Sequence, residues 1–121
     1  MGAARILIVD DYVLFRSSAR RMLESHGFDV IGESGDGSSA ISAVQALRPD
    51  VVLLDVQLPD IDGFEVARRL AEEPDAPAVI LTSIRDASAY RSRLPGTPAL
   101  GFISKAELSE TRISELLGCG G

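Results

Sequence analysis

Short apolar runs recur along the chain and alternate with segments that are apolar at every third or fourth position. The runs are bounded by turn residues, which is typical of strands buried on both faces of a sheet. The predicted strands cover residues 5–9, 28–34, 51–54, 78–81 and 100–104. The amphipathic segments predict helices, because this spacing puts the apolar side chains on one face. The predicted helices cover residues 12–26, 39–47, 64–71, 86–94 (a weak pattern) and 106–117.

This alternation predicts an α/β fold. Parallel strands need helical crossovers, so five strand–helix units predict a five-stranded parallel sheet with helices on both faces. The chain has 121 residues, the length of one ordinary domain. We therefore expect a single domain over residues 1–121, with no output domain within them.

Local signals mark several helix ends. Gly27 is a suitable stop for the first helix, and Ser38 is a candidate cap for the second. The prolines in residues 95–98 should break the fourth helix. The arginines of the first helix, Arg16 among them, are expected to form a solvated face.

Polar residues follow four of the five predicted strands. They are Asp10, Asp11, Asp55, Thr82 and Lys105. Because the carboxyl ends of parallel strands lie along one edge of the sheet, these residues should gather in space. Three carboxylates in one pocket repel one another unless a cation neutralises them. Oxygen ligands without histidine or cysteine favour Mg²⁺, or Mn²⁺ as its close substitute.

Each of these residues also has a simpler explanation. Asp55 could cap the following turn, and Asp10 or Asp11 could cap the first helix. Thr82 could be an ordinary strand-end residue, and Lys105 an exposed lysine. Their joint placement favours chemistry instead, since an aspartate nucleophile beside Mg²⁺ and lysine is suited to forming an aspartyl phosphate.

Composition narrows the class of protein. The net charge of −6 argues against a nucleic-acid-binding domain, which would be basic. The sequence has one cysteine, Cys119, which excludes an internal disulfide. Because it also has only one histidine, a zinc site of the Cys/His type is excluded as well. No apolar run reaches transmembrane length, and the N-terminal residues show no secretory signal. We therefore expect a cytoplasmic protein.

At this point the chain resembles the receiver domain of two-component response regulators. The matching segments are 10–11, 51–55, 58–64, 81–83 and 101–105, so the resemblance extends over essentially the whole chain. Residues 101–108 most resemble receivers that are often joined to a helix-turn-helix output domain. The resemblance implies a flavodoxin-like (βα)5 doubly wound sheet with strand order 2-1-3-4-5.

The resemblance also implies a role for each site residue. Asp55 would accept a phosphoryl group from a sensor histidine kinase or a phosphotransfer protein. Asp11 and Asp55 would bind Mg²⁺ directly, Gln57 through its backbone carbonyl, and Asp10 through water. Lys105 would pair with the phosphoryl oxygens.

The signal would be read out by a conformational switch. Thr82 and Phe102 would turn inward on phosphorylation and change the face formed by the fourth helix, fifth strand and fifth helix. The partner at that face would be a downstream protein or a second copy of the chain, and direct contact with nucleic acid is not expected.

Three features depart from the usual receiver pattern. Ala106 follows Lys105 where proline is common, so a trans peptide is expected. The fourth helix is short, which affects the usual switch face. Ile84 lies two residues beyond Thr82, where a polar side chain could orient an attacking water, so slow self-dephosphorylation is expected.

Two other classes of function remain open at this stage. A Mg²⁺-dependent phosphatase with an aspartate nucleophile would need a second acid–base aspartate at the position of Gln57. A phosphorylation-independent receiver-like binding module would not need the complete set of site residues. A nucleotide binder is weakly supported, because no glycine-rich phosphate loop follows the first strand.

Overall fold

The computed structural model of the protein describes residues 3–118, so Cys119 lies outside the described residues. Five strands form one parallel sheet in the order β2-β1-β3-β4-β5, which confirms the predicted fold and strand order. The strands are β1 (Arg5–Val9), β2 (Asp29–Ser34), β3 (Val51–Asp55), β4 (Ala78–Ser83) and β5 (Gly101–Ser104). No helix within residues 3–118 has the length and apolar character needed to cross a membrane.

Four α-helices cover the sheet. They are α1 (Val13–Ser25), α2 (Gly37–Leu47), α3 (Gly63–Leu70) and α4 (Glu110–Leu117). The last helix begins later than predicted, because residues Lys105–Glu107 form a 3₁₀ turn and the Ser109 side chain caps α4 by accepting from Arg112 N.

The cap predicted for α2 was wrong. Asp36 is the N-cap, and its carboxylate accepts a hydrogen bond of 2.7 Å from Ser39 N. Ser38 lies inside the first turn of α2, where its N–H donates to Asp60 Oδ2 at 2.9 Å. Two carboxylates therefore satisfy the free N–H groups at this helix end, one of them supplied by the loop after β3.

The fourth helix predicted over residues 86–94 was also wrong. Only two short 3₁₀ turns, Ala87–Tyr90 and Leu94–Gly96, occur between β4 and β5. Pro95 disfavours a helical conformation for the residue before it, and the remaining stretch is too short to form a stable α-helix by itself. Two of the apolar side chains in this stretch, Tyr90 and Leu94, do pack partly buried against the core, but they do so from 3₁₀ turns.

The core lies in two layers, one on each face of the sheet. Successive residues of a strand point to opposite faces, so each apolar run supplies both layers. Leu7, Val9, Val52, Leu54 and Leu81 face α2 and α3. Ile6, Ile8, Leu53, Ile80 and Ile103 face α1 and α4. Burial on both faces explains why the runs are continuously apolar and not alternating.

Candidate functional site

Two strand ends bring three carboxylates together. Asp10 directly follows β1, Asp55 is the last residue of β3, and the strands pair so that Val9 lies opposite Leu54. Asp10 and Asp55 are buried, whereas Asp11 is exposed. One oxygen from each of the three carboxylates lies within 4.8 Å of the others. The predicted gathering of these aspartates at the carboxyl edge of the sheet therefore holds in the structure.

Lys105 reaches the carboxylates from the end of β5. Its Nζ atom lies 2.6 Å from Asp10 Oδ2 and 3.5 Å from Asp55 Oδ2. The side chain is 16% exposed, so the simpler explanation of Lys105 as an exposed surface lysine does not hold. The following peptide bond is trans as predicted, since residues 3–118 contain no cis peptide bond.

The site destabilises the charged form of Asp55. Burial is the largest cause and the charge of Asp10 the next, and together they raise the pKa of Asp55 to about 6. The backbone N–H of Gln57, which donates to Asp55 Oδ1 at 3.2 Å, and the ammonium of Lys105 act in the opposite direction. Asp10 is held in turn by Tyr12 N, which donates to its Oδ1 at 2.9 Å.

Thr82 pairs with Asp55 across β3 and β4. Its Oγ1 atom is buried and has no hydrogen-bond partner within the described residues. A buried hydroxyl without a partner costs free energy, and such groups commonly mark a place where a ligand or a moving side chain is expected. Thr82 is therefore not an ordinary strand-end residue with its hydroxyl satisfied.

Phe102, the other predicted switch residue, lies away from the carboxylates. It is half-buried on β5, opposite Leu81, and its ring centroid is 5.6 Å from that of Tyr90. Tyr90 also contacts Phe64, with ring centroids 5.7 Å apart. Three aromatic rings thus lie in a row beneath the segment where the fourth helix was predicted.

An open cavity of about 270 Å³ lies over the carboxylates. Its lining comprises Asp10, Asp11, Tyr12, Asp55, Gln57, Ile84 and Lys105. Gln57 is exposed at the cavity rim, and Ile84 is 75% exposed there. A group that enters the cavity from solvent can therefore reach Asp55 directly.

The loop after Asp55 is tightly held. Gly63 N donates to Val56 O at 2.7 Å, and a Cβ atom on Gly63 would lie 2.3 Å from the carbonyl oxygen of Asp55. Asp60, in the same loop, accepts from Gly37 N at 2.8 Å and anchors it to α2. Only glycine permits this approach of the two backbones, so Gly63 helps to place the residues that follow Asp55.

Two residues of α1 matter more than their sequence pattern indicated. Arg16 was expected in a solvated face, but it is half-buried and donates to Asp10 O at 2.5 Å and to Glu33 Oε1 at 3.0 Å. Phe15 packs against the core from the apolar face of α1, and the Lys105 ammonium lies 4.3 Å from its ring centroid. Sequence spacing carries no signal for either contact, because both depend on how α1 packs on the sheet.

The residues present fit a hard divalent cation. Three carboxylates supply oxygen ligands within reach of one another, as Mg²⁺ and Mn²⁺ prefer. Asp10 and Asp55 are buried with one nearby ammonium, so the cluster carries an excess of negative charge that a cation would relieve. The Thr82 hydroxyl without a partner adds a polar atom at the neighbouring strand end.

Comparison with known proteins assigns the family. The sequence model of the response regulator receiver domain matches residues 6–117. The chain belongs to this family. It is thus a receiver domain of the kind found in two-component response regulators, which confirms the family that the sequence resembles. Receiver domains bind Mg²⁺ at an acidic pocket, and the cluster of Asp10, Asp11 and Asp55 could hold such an ion.

Relatives by sequence are response regulators. The transcriptional regulatory protein PdtaR of Mycobacterium tuberculosis is 32% identical over 97% of this chain. The response regulator GacA of Pseudomonas aeruginosa is 35% identical over 84% of it. The receiver domain spans 62% of the length of PdtaR and 48% of that of GacA, so these relatives contain further sequence.

Solved structures share the fold over nearly their whole length. The signal receiver domain of NarL from Mycobacterium tuberculosis has a TM-score of 0.87 and 31% identity, with 99% of this chain and 98% of that chain covered. The response regulator domain of Thermotoga maritima CheB has a TM-score of 0.78 and 27% identity, with 96% and 92% covered. The five-stranded sheet with strand order 2-1-3-4-5 is therefore the receiver fold.

Proposed function

We propose that this receiver domain is a phosphorylation switch in which Asp55 accepts a phosphoryl group from a histidine of a sensor kinase or phosphotransfer protein. The observation that carries the proposal is the position of Asp55 at the floor of an open cavity. There its carboxylate meets two other aspartates within 4.8 Å and an ammonium at 3.5 Å. A nucleophile, a cation site and a fixed positive charge are the groups that phosphoryl transfer requires.

The bonds that form and break in the transfer step belong to the chain and the donor alone. An Asp55 oxygen attacks phosphorus and forms an acyl phosphate, while the phosphorus–nitrogen bond to the donor imidazole breaks. The donor ring carries a proton on its other nitrogen and so leaves as neutral imidazole. Lys105 lies close enough to turn from the free carboxylate to a phosphoryl oxygen, and Thr82 Oγ1 has an unused donor for another.

The metal ligands follow from the same cluster. Asp11 and Asp55 would bind Mg²⁺ or Mn²⁺ directly, with the backbone carbonyl of Gln57, and Asp10 would act through water. The bound cation would neutralise the carboxylates and the developing charge on the phosphoryl oxygens. Asp10 suits the indirect role because it is fully buried and its Oδ2 lies 2.6 Å from the Lys105 ammonium, nearer than Asp55 Oδ2 at 3.5 Å.

The signal would leave through a protein surface on the side of β5. Inward movement of Thr82 and Phe102 would disturb Tyr90, whose ring contacts Phe102. The surface that changes is therefore the 3₁₀ segment over residues 84–100 with β5 and α4. The partner at this surface would be a downstream protein or a second copy of the chain. The net charge of −6 disfavours direct binding of this domain to nucleic acid.

Phosphorylation by a small donor tests the proposal. Wild-type protein incubated with phosphoramidate and Mg²⁺ should gain the mass of one phosphoryl group, and EDTA should prevent the gain. Asp55→Asn should abolish it. Asp29→Asn is the matched control, because it removes an equal charge from an exposed position on β2. No gain on wild type, or an undiminished gain on Asp55→Asn, contradicts the proposal.

Sizing of the same samples tests self-association. A shift from monomer to dimer that requires both phosphoramidate and Asp55 would identify a second copy of the chain as the output partner. An unchanged size would instead favour a different downstream protein.

A further inference from the structure

Three groups surround the ammonium of Lys105. Two are the carboxylates of Asp10 at 2.6 Å and Asp55 at 3.5 Å, and the third is the ring of Phe15, whose centroid lies 4.3 Å from Nζ. The negative face of an aromatic ring attracts a cation within about 6 Å. We propose that Phe15 is a positioning residue for phosphoryl transfer, because its ring holds the Lys105 ammonium where it reaches both aspartates. This inference rests on the proposed function.

The contact matters because lysine is otherwise poorly constrained. Its four-carbon stem is flexible, and its ammonium is a compact charge that prefers hydration. Lys105 is in a short 3₁₀ turn, and the residues that flank it on its C-terminal side, Ala106 and Glu107, are exposed. The ring of Phe15 is the third group within contact distance of the ammonium, and the lysine side chain is left only 16% exposed.

Phe15 is itself held in place from two directions. It packs against the core layer that contains Ile6, Ile8 and Ala19. The next residue, Arg16, donates to Asp10 O at 2.5 Å and to Glu33 at 3.0 Å, which ties the first turn of α1 to the ends of β1 and β2. The ring therefore provides a fixed surface for a mobile side chain.

Packing alone does not require an aromatic residue at position 15. Leucine would also fill an apolar position on α1, but it has no ring face to attract a cation. Phe15→Leu thus keeps the packing but removes the ring face, whereas Phe15→Tyr should preserve both. Phe28→Leu is the matched control, since Phe28 packs against the same core layer, whereas the cation–ring contact of Lys105 is with Phe15.

Lys105 is the only lysine in the sequence, so its position can be observed without reference to activity. Protein labelled with ¹³C at the lysine ε carbon should give one Hε–Cε signal from Lys105. The ring current of Phe15 should shift this signal upfield. Phe15→Leu should move it downfield, towards the position of an exposed lysine, whereas Phe15→Tyr and Phe28→Leu should leave it in place. A signal unchanged by Phe15→Leu overturns the inference.

The rate of phosphorylation by phosphoramidate at fixed Mg²⁺ gives the functional result. Phe15→Leu should react about fivefold more slowly, as expected for loss of a partly buried cation–ring contact. Phe15→Tyr should restore the rate, and Phe28→Leu should keep it. In a Lys105→Met background, Phe15→Leu should cause no further loss, because the ring acts only through the lysine.

The outcomes separate the inference from the function on which it rests. A normal rate for Phe15→Leu, or an equal loss in the Lys105→Met background, overturns the positioning role while phosphorylation of wild type stands. If wild type gains no phosphoryl group, the proposed function fails and the catalytic part of the inference fails with it. The NMR signal then still decides whether Phe15 holds the ammonium.

Discussion

The hydroxyl group of Tyr90 lies 2.8 Å from Oγ of Ser83, the last residue of β4. This hydrogen bond ties the 3₁₀ segment to the sheet at the residue after Thr82. The Tyr90 ring meanwhile lies between Phe64 and Phe102, with centroid distances of 5.7 and 5.6 Å. One side chain therefore joins the segment that replaces the fourth helix to the end of β4 and to Phe102, one of the two predicted switch residues.

Removal of the Tyr90 hydroxyl should weaken this connection. Tyr90→Phe keeps the ring contacts but loses the hydrogen bond to Ser83, and we expect the free energy of unfolding to fall by about 1 kcal/mol. Urea denaturation measures the change, and amide hydrogen exchange should show faster opening over residues 84–100. Tyr12→Phe, at a position 58% exposed, is the control and should change stability by less than about 0.5 kcal/mol.

The close approach at Gly63 should make this position intolerant of a side chain. A Cβ atom there would lie 2.3 Å from Asp55 O and 2.8 Å from Val56 Cα, and backbone atoms cannot move aside cheaply. We expect Gly63→Ala to destabilise the protein by about 2 kcal/mol or more. Gly96→Ala is the control, because a Cβ atom at Gly96 meets nothing within 4 Å. Equal stabilities of the two variants in urea would be inconsistent with the packing described.

The raised pKa of Asp55 predicts a pH-dependent stability in metal-free protein. The folded state binds this proton with a pKa of about 6, above the value of roughly 3.9 for an unfolded aspartate. Stability should therefore fall as pH rises through this interval, and ionised Asp55 should be unfavourable above it. We expect Asp55→Asn to be about 1–3 kcal/mol more stable than wild type at pH 8 in EDTA.

Two comparisons test whether the ionisation of Asp55 causes this pH dependence of stability. The stability difference should shrink near pH 4, where folded wild-type Asp55 is protonated and the unfolded carboxyl is about half protonated. Added Mg²⁺ should stabilise wild type more than Asp55→Asn, since a cation relieves the charge that the substitution removes. Thermal or urea unfolding of both proteins, with Asp29→Asn as the equal-charge control, measures each difference. If wild type were more stable than Asp55→Asn at pH 8 in EDTA, the prediction that ionised Asp55 destabilises the metal-free protein would be wrong.

Ile84 should prolong the life of a phosphoryl group on Asp55. It lines the cavity and is 75% exposed, so its apolar side chain occupies the rim from which water would attack. Ile84→Glu should shorten the lifetime at least about twofold, because a carboxylate there can orient the attacking water. The decay of the phosphorylated mass measures the lifetime, and Ile84→Leu is the apolar control. Equal decay of Ile84→Glu and wild type would show that this position does not limit the reaction.

The sheet could be predicted because its signal along the chain is repeated and local. Each continuous apolar run indicates a strand buried on both faces, and the alternation with helices leaves few topologies. The edge of that sheet then places Asp10 beside Asp55, whatever the details of the loops. The helix ends were harder. Aspartate and serine are both residue types that cap helices, so local sequence did not distinguish Asp36 from Ser38 as the N-cap of α2. In the structure Asp36 accepts from Ser39 N, and the N–H of Ser38 donates to Asp60, which lies far away in sequence.

The segment between β4 and β5 shows the limit of local pattern. Ala87, Tyr90 and Leu94 repeat at a spacing that suits an α-helix, yet the chain forms 3₁₀ turns there. Tyr90 of this segment contacts Ser83, Phe64 and Phe102, which lie on three other parts of the fold. A pattern read along the chain contains no information about such partners.

By itself, the sequence therefore determined the α/β fold, the order of its elements and the gathering of Asp10, Asp11, Asp55 and Lys105 at one edge. These follow from apolar periodicity and from the geometry common to all parallel sheets. Only the tertiary structure decided that Lys105 lies nearer to Asp10 than to Asp55 and against Phe15, and that the Thr82 hydroxyl is buried without a partner. Those relationships depend on side-chain packing between elements distant in sequence, and such packing forms only when the helices pack against the sheet.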